Sequence, residues 1–476
     1  MKSSSKTFHD KFHNYGQRES WSNLLIKGFP YVLTSLLIVT ILSFFFLYSP
    51  NSLTLVPNQS HDEIIENHSQ KQEHEHANTF VPNKHDIIEE HQRAKISTLP
   101  PSKPHKEKKT CDLFKGHWIK GLRGSSYYTN SSCPTIPDSK NCFKNGRIDS
   151  DFLNWKWKPN QCELPMFDPK NFLSMVRGKK MSFIGDSVAR NHMDSLLCLL
   201  SQEETPKDIH KDSEDRFRTF YFPNYDFTLM MLWSRFLIVG EERMVNGTGT
   251  SVFDLNFDKV DEDWAKVIPE LDYAIISDGH WYFRLMYLHQ GGKLIGCVYC
   301  NEKNVKNYDI DFPLRLSFEK ALNFINNCKE CKKGKLLTIL RTFAPAHFEN
   351  GVWNTGGYCN RTSPMNEGEV DLGKFEWKLR NLQREELMKV KNNNKGKIKF
   401  EILDVTNAMM MRPDGHPGEH WGNKWMKGYN DCTHWCLPGA IDVWNELLLA
   451  VLQREGDQDM MMSFGLESSS NTRRLV

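Results

Sequence analysis

A surplus of charge of either sign is missing from this chain: 61 Lys and Arg stand against 59 Asp and Glu in 476 residues, a formal net charge of +2. Without a basic excess there is no electrostatic footprint for nucleic acid or for an acidic membrane surface, and the partner should be neutral. Charge is absent altogether from residues 29–48, FPYVLTSLLIVTILSFFFLY, a run of about twenty largely apolar residues, enough to cross a bilayer as a helix. Lys2, Lys6, Lys11, Arg18 and Lys27 precede it against only Asp10 and Glu19, and the first Lys or Arg after it is Lys71. By the positive-inside rule, residues 1–28 form a cytosolic tail, residues 29–48 a transmembrane signal anchor, and everything later is luminal. A small-residue cleavage site after the run is also missing, which argues against a removed signal peptide.

Cysteine is missing from the first 110 residues, and all 12 lie between Cys111 and Cys436. An even, luminal set implies disulfides. The N-x-S/T sequons at Asn58, Asn67, Asn130, Asn246 and Asn360 fall on the same side, as glycosylation requires. Between residues 49 and 110 aromatics are missing as well, Phe80 apart, and the composition is rich in His, Glu, Lys and Pro. Such a segment cannot bury enough apolar surface to fold and reads as a disordered luminal stem. Its histidines are scattered as in a solvated linker rather than gathered as a metal tract. The folded domain should span residues 111–453, with the Ser- and Met-rich residues 454–476 as a flexible tail. No internal repeat and no Gly-rich nucleotide-cradling loop is visible.

What is present in the folded part is an alternation of short apolar runs with amphipathic stretches. Residues 180–184, 227–232, 273–277, 336–342 and 400–405 read as strands, and 188–200, 316–326, 374–390 and 439–452 as helices. Strands separated by helical patterns predict an α/β fold, a doubly wound parallel sheet covered on both faces. Ligands of such sheets sit beyond the carboxyl ends of the strands.

At one such end KKMSFI runs into Gly185-Asp186-Ser187 and then into the helical pattern VARNHMDSLLCLL. Gly185 permits the tight turn, and a serine there sits at a helix N-terminus whose N–H groups and dipole can stabilise an oxyanion. Asp186 and Ser187 serve equally well as a helix cap. Near the other end of the chain, Asp431 and His434 are three residues apart in YNDCTHWCLPG, close enough for the carboxylate to hold one imidazole nitrogen. A serine nucleophile needs such an oriented base, and the two segments together raise a Ser187, His434 and Asp431 triad above a turn-forming pair in a loop.

GDS followed by ARNH, and DCTHWCLPG, resemble the two signature motifs of the plant trichome birefringence-like proteins, relatives of the SGNH (GDSL) esterases. CDLFKGHWI, YYTNSSCPTIPDSKNC and FLNWKWKP are similar to the family's N-terminal region, and FENGVWNTGGYCNRT to its central one. The resemblance implies an SGNH-hydrolase type of fold with Cys-rich additions. It also implies a Golgi-lumenal polysaccharide O-acetyltransferase acting on xylan, mannan, xyloglucan or pectin. SFIGDSVARNHMDSLLCLLS and DGHWYFR are most similar to the xyloglucan and glucomannan branch. Acetyl-CoA is the implied acetyl donor, with a membrane partner as one route for its delivery. Carried over, the triad falls on Ser187, His434 and Asp431.

The oxyanion contacts are harder to place: the Ser187 N–H is the first candidate, then Gly185, Asp186, Arg190, Asn191 and Asn354. Arg190 is as well suited to a structural ion pair. Trp281, Trp353 and Trp435 suit a sugar groove or the core. The resemblance further implies disulfides pairing Cys111 with Cys162, Cys133 with Cys198, Cys142 with Cys436, and Cys359 with Cys432. Cys297-x-x-Cys300 and Cys328-x-x-Cys331 are a pattern that a cytosolic protein uses for zinc; in an oxidising lumen two more disulfides are expected, with no metal and the pairing open. A hydrolase with the same triad and a non-catalytic polysaccharide-binding protein are the rival readings.

Overall fold

A computed structural model describes residues 111–121, 126–331, 336–394, 398–422 and 428–472. The expected tail, membrane segment and stem, with Asn58 and Asn67, lie outside the described residues. Among the described residues no helix is long and apolar enough to cross a membrane.

The chain opens with an antiparallel ribbon of β1 (Gly116–Lys120) and β2 (Trp155–Pro159). Next come α1 (Pro169–Met175), β3 (Lys180–Gly185), α2 (Ser187–Leu200), β4 (Lys207–Lys211), β5 (Phe217–Phe222) and β6 (Phe227–Trp233). They are followed by β7 (Ile238–Val245), β8 (Thr248–Val260), α3 (Glu262–Ala265), β9 (Tyr273–Ser277), β10 (Met286–Gln290) and β11 (Lys293–Val298). The last third supplies α4 (Asp311–Asn326), β12 (Leu337–Arg341), α5 (Phe375–Asn393), β13 (Lys399–Leu403), α6 (Thr406–Met410) and α7 (Asp442–Thr472).

The main sheet has seven strands in the order β13-β12-β9-β3-β6-β5-β4. Its first five strands are parallel, and the four inside the edge strand β13 are largely apolar because both faces are covered. Met181 and Phe183 of β3, with Ile275 and Ile339, join one core together with residues of α2 and α7. Ile184, Ala274, Ile276 and Leu340 point the other way, into a core shared with α4 and α5. Strand order reverses at β3, which has β6 on one side and β9 on the other, so a crevice opens beyond their carboxyl ends.

Two expectations need correction. The sheet is mixed, since β5 pairs antiparallel with β6 and β4 with β5. The links between these strands are too short for a crossover and can only reverse the chain. A second sheet, β11-β10-β8-β7, is added beside it; its β7–β8 hairpin turns on Asn246-Gly247, both at positive φ (51° and 79°). The final helix also runs on to Thr472, through residues read as a loose tail. Methionine there is a good helix former, which the tail's low apolar periodicity hid.

All 12 cysteines are paired. Cys111–Cys162, Cys133–Cys198, Cys142–Cys436 and Cys359–Cys432 are bridged, and Cys297–Cys300 and Cys328–Cys331 each close within their own motif. Asn246 and Asn360 are exposed and Asn130 partly so, positions open to a glycan.

Candidate active site

The turn after β3 is shaped by a close approach of two strands. Gly185 has φ 143°, and a Cβ built on it would lie 1.6 Å from the carbonyl oxygen of Ser277 at the end of β9. Only glycine fits there. Asp186 follows, fully buried, and caps α2: one carboxylate oxygen accepts from the N–H of Val188 (2.9 Å) and Ala189 (3.3 Å), the other from His280 N–H (3.1 Å). Burial opposes the charge of Asp186, yet His280, Arg341 and these N–H groups hold its carboxyl well below the usual range. Asp278 next to it is driven the opposite way, above that range, by burial and by the charge of Asp186. Asp186 is therefore both the cap and the anchor of the turn, and it leaves Ser187 at the mouth of α2.

Ser187 Oγ lies 2.8 Å from His434 Nε2. On the far side of the ring, His434 Nδ1 is 2.9 and 3.1 Å from the two oxygens of Asp431. Asp431 Oδ1 also accepts from the N–H of Thr433 and His434, and Oδ2 is 3.3 Å from Lys140 Nζ. Burial would raise Asp431, but the His434 and Lys140 charges and these hydrogen bonds hold it well below the carboxylate range. Burial lowers His434 below the usual imidazole value, with Asp431 opposing. The imidazole is thus neutral, and with Nδ1–H donating to Asp431, its free Nε2 can take the serine proton.

The loop bearing Asp431 and His434 is fixed from three directions. Asn191 of α2, buried, accepts from Trp435 N–H (2.7 Å) and donates to Trp435 O (3.2 Å). Cys432 and Cys436 tie it to Cys359 and Cys142. His416 Nδ1–H donates to the carbonyl of His434 (2.6 Å), and its Nε2 lies 2.7 Å from Nδ1 of His347. Burial takes His416 down to about 4.

A cavity of about 1110 Å³ opens over this group, lined by Ser187, His434, His280, Trp281, Phe343, Trp353 and Asn354 among others. The structure therefore gathers Ser187, Asp431, His434, Gly185, Asp186, Trp281, Trp353 and Asn354 at one place. Three candidates fall elsewhere in role. Arg190 donates to the carbonyls of Asp215 and Arg216 and pairs with Asp215 (3.5 Å), so it pins the turn before β5 rather than facing the cavity. Asn191 is spent on Trp435. Trp435 itself is wholly buried, tilted against His416 at 4.1 Å, and belongs to the core rather than to a sugar groove. Lys140, His280 and His416 escaped the sequence reading, since their partners lie up to 291 residues away. DGHWYFR carried the only available signal for His280.

The family described as GDSL/SGNH-like acyl-esterases found in Pmr5 and Cas1p matches residues 164–451, and the PMR5 N-terminal domain matches residues 109–163. "Xyloglucan O-acetyltransferase 4" of Populus trichocarpa is 52% identical over 439 residues, 92% of this chain and 95% of that protein. "Xyloglucan O-acetyltransferase 2" of Arabidopsis thaliana is 59% identical over 346 residues, 72% of this chain and 83% of its own. "Protein trichome birefringence-like 19" of Arabidopsis thaliana is 42% identical over 358 residues, 74% and 83% of the two chains. With residues 109–451 covered by the two family models and relatives aligned over most of their lengths, the chain belongs to the GDSL/SGNH-like acyl-esterase family, among its trichome birefringence-like members.

Proposed function

We propose that this chain is a polysaccharide O-acetyltransferase that carries acetyl groups to xyloglucan, with mannan next and then xylan, through an acetyl ester on Ser187. The observation that carries the reading is the 2.8 Å contact of Ser187 Oγ with a His434 that is neutral and held by Asp431. Relatives named for xyloglucan O-acetylation over 92% of the chain supply the substrate class. His434 Nε2 takes the Ser187 proton as Oγ attacks the acetyl carbonyl of the donor. The Ser187 N–H, at the helix mouth, faces the developing oxyanion. The leaving group departs with the proton from His434, and acetyl-Ser187 remains. A sugar hydroxyl then gives its proton to His434, its oxygen attacks the ester, and Ser187 recovers the proton as the acetyl ester of the sugar leaves.

Acetyl-CoA suits the donor role, arriving directly or through a membrane partner. The charge-free run at 29–48, with every cysteine and sequon after it, supports a single-pass type II Golgi membrane protein with a luminal catalytic domain. The test is to incubate the full-length chain with acetyl-CoA and oligomers of xyloglucan, mannan and xylan. A mass gain of one acetyl on the sugar is expected, together with acetylated Ser187 when no sugar is added. Acetate release with no acetylated sugar would mean a hydrolase, and unchanged transfer by Ser187→Ala would overturn the covalent route.

A further inference from the structure

An arginine that satisfies itself only on aromatic rings lines the same cavity. Arg284 lies four residues beyond His280 on the loop leading from β9 to β10, the loop whose His280 N–H is bonded to Asp186 beside the nucleophile. Its guanidinium sits 4.3 Å over Trp281 and 5.5 Å from Trp353, a half-exposed ring on the facing segment of the cavity. Arg235 stacks on Trp281 as well, at 5.1 Å, and on Trp233 at 5.1 Å. Trp281 is in turn fixed edge-on by Trp233, Phe236 and Phe253.

Neither arginine forms an ion pair or a hydrogen bond among the described residues, and the Nε of each is buried without a partner. Glu242 is close enough to be felt by both but pairs with neither, and burial leads the causes that lower each guanidinium below its ordinary value. Of the other two cations lining that cavity, Arg361 is already taken by Glu349 and Glu369, and Lys374 is a point charge without a guanidinium's fork. Two partly desolvated, unpaired guanidiniums held by aromatic faces form a fork with its donors unspent, suited to bidentate capture of an oxyanion. A neutral hemicellulose gives such a fork nothing to neutralise.

We propose that Arg284, clamped between Trp281 and Trp353 and backed by Arg235, binds a phosphate of the acetyl donor. The loop that anchors the nucleophile turn at His280 would then also set the donor's distance from Ser187. This rests on the acetyl-transfer reading above, and its test does not depend on turnover. Binding of CoA to the full-length Ser187→Ala chain is followed by quenching of tryptophan fluorescence, with phosphate-free pantetheine and a galacturonate oligomer as comparisons. CoA should bind, pantetheine should bind at least about tenfold more weakly, and Arg284→Gln in the same background should weaken CoA by about tenfold at an unchanged thermal midpoint. Arg284→Lys, which keeps the charge and loses the fork, should fall between them. Equal CoA binding with and without Arg284, or equal binding of CoA and pantetheine, would overturn the proposal. Capture of the galacturonate oligomer in place of CoA would overturn it too, by making the fork a reader of acidic acceptors. If Ser187 were no nucleophile, the CoA difference would persist while Ser187→Ala would leave transfer unchanged.

Discussion

At the scale of single residues, His434 and Asp431 share a hydrogen bond yet are pushed in ways that suit one chemistry. The ring, 20% exposed, is lowered mainly by burial, and the Lys140 ammonium pushes it further down, while Asp431 pulls it up. A base whose folded value is depressed stays unprotonated into mildly acidic solution. The rate of acetyl-Ser187 formation should therefore hold down through pH 6.5 and fall only on a limb below it. Lys140→Met removes one of the downward pushes, so the limb should move to higher pH; a pH–rate profile that did not move, or moved lower, would contradict this electrostatic account. Asp431→Asn removes the negative charge that stabilises the imidazolium and can turn an NH₂ toward Nδ1, favouring the wrong tautomer, so by analogy with other triads the rate should drop by roughly a thousandfold or more with the fold retained.

Elements meet at Gly185, where the last residue of β3 touches the last of β9. Gly185→Ala puts a methyl group into the Ser277 carbonyl and forces a side chain into φ 143°, so β3 and β9 must part. The expected cost is about 3 kcal/mol or more, read as a lowered midpoint in urea, with loss of Ser187 acetylation even where the chain still folds. Asn191→Ala tests the other contact between elements. It strands the buried N–H and carbonyl of Trp435 and should cost roughly 1–3 kcal/mol, with kcat reduced more than KM is raised because the His434 loop loosens. These two elements also mark what could be read from the sequence. The β3-turn-α2 unit was legible to within a residue because a buried parallel strand is a continuous apolar run and the cap follows it directly. The β4–β5 edge and the second sheet were not, because β4 reads Lys-Asp-Ile-His-Lys with every residue exposed and β7 buries only Ile238. α4 begins at Asp311 rather than 316 because Pro313 sits in its first turn, where a proline is tolerated although it reads as a break. Asn191 was singled out for the wrong task, since nothing local reveals that its amide faces a backbone 244 residues away.

Across the whole folded body, the N-terminal segment is bolted to the helices behind the sheet by disulfides and by a buried acidic network. Tyr127 donates to Glu446 (2.7 Å) and Tyr128 to Asp442 (2.9 Å), which also accepts from Ser195 (2.6 Å). Burial raises Asp442 to about 6 and Glu446 to about 7, from ordinary values of 3.8 and 4.5. An acid raised by folding stabilises the fold fully below its unfolded value and loses that contribution as pH climbs through the folded one. Between about pH 4 and 7 these two groups therefore weaken the molecule as pH rises. The buried imidazoles of His192, His347 and His416 act oppositely: lowered by folding, they add stability above about pH 6.5 and lose it on acidification. Bulk stability against pH mixes the two slopes, so the informative measurement is a difference. Glu446→Gln keeps an acceptor for Tyr127 and removes the titration. Relative to the wild type it should gain stability from pH 4.5 to pH 7.5, by up to about 3 kcal/mol for a shift of this size, compared by urea unfolding at each pH. A difference that stayed flat across that window would mean that Glu446 is charged within the fold, and that the contact between the N-terminal segment and α7 is ionic rather than a shared, proton-dependent hydrogen bond.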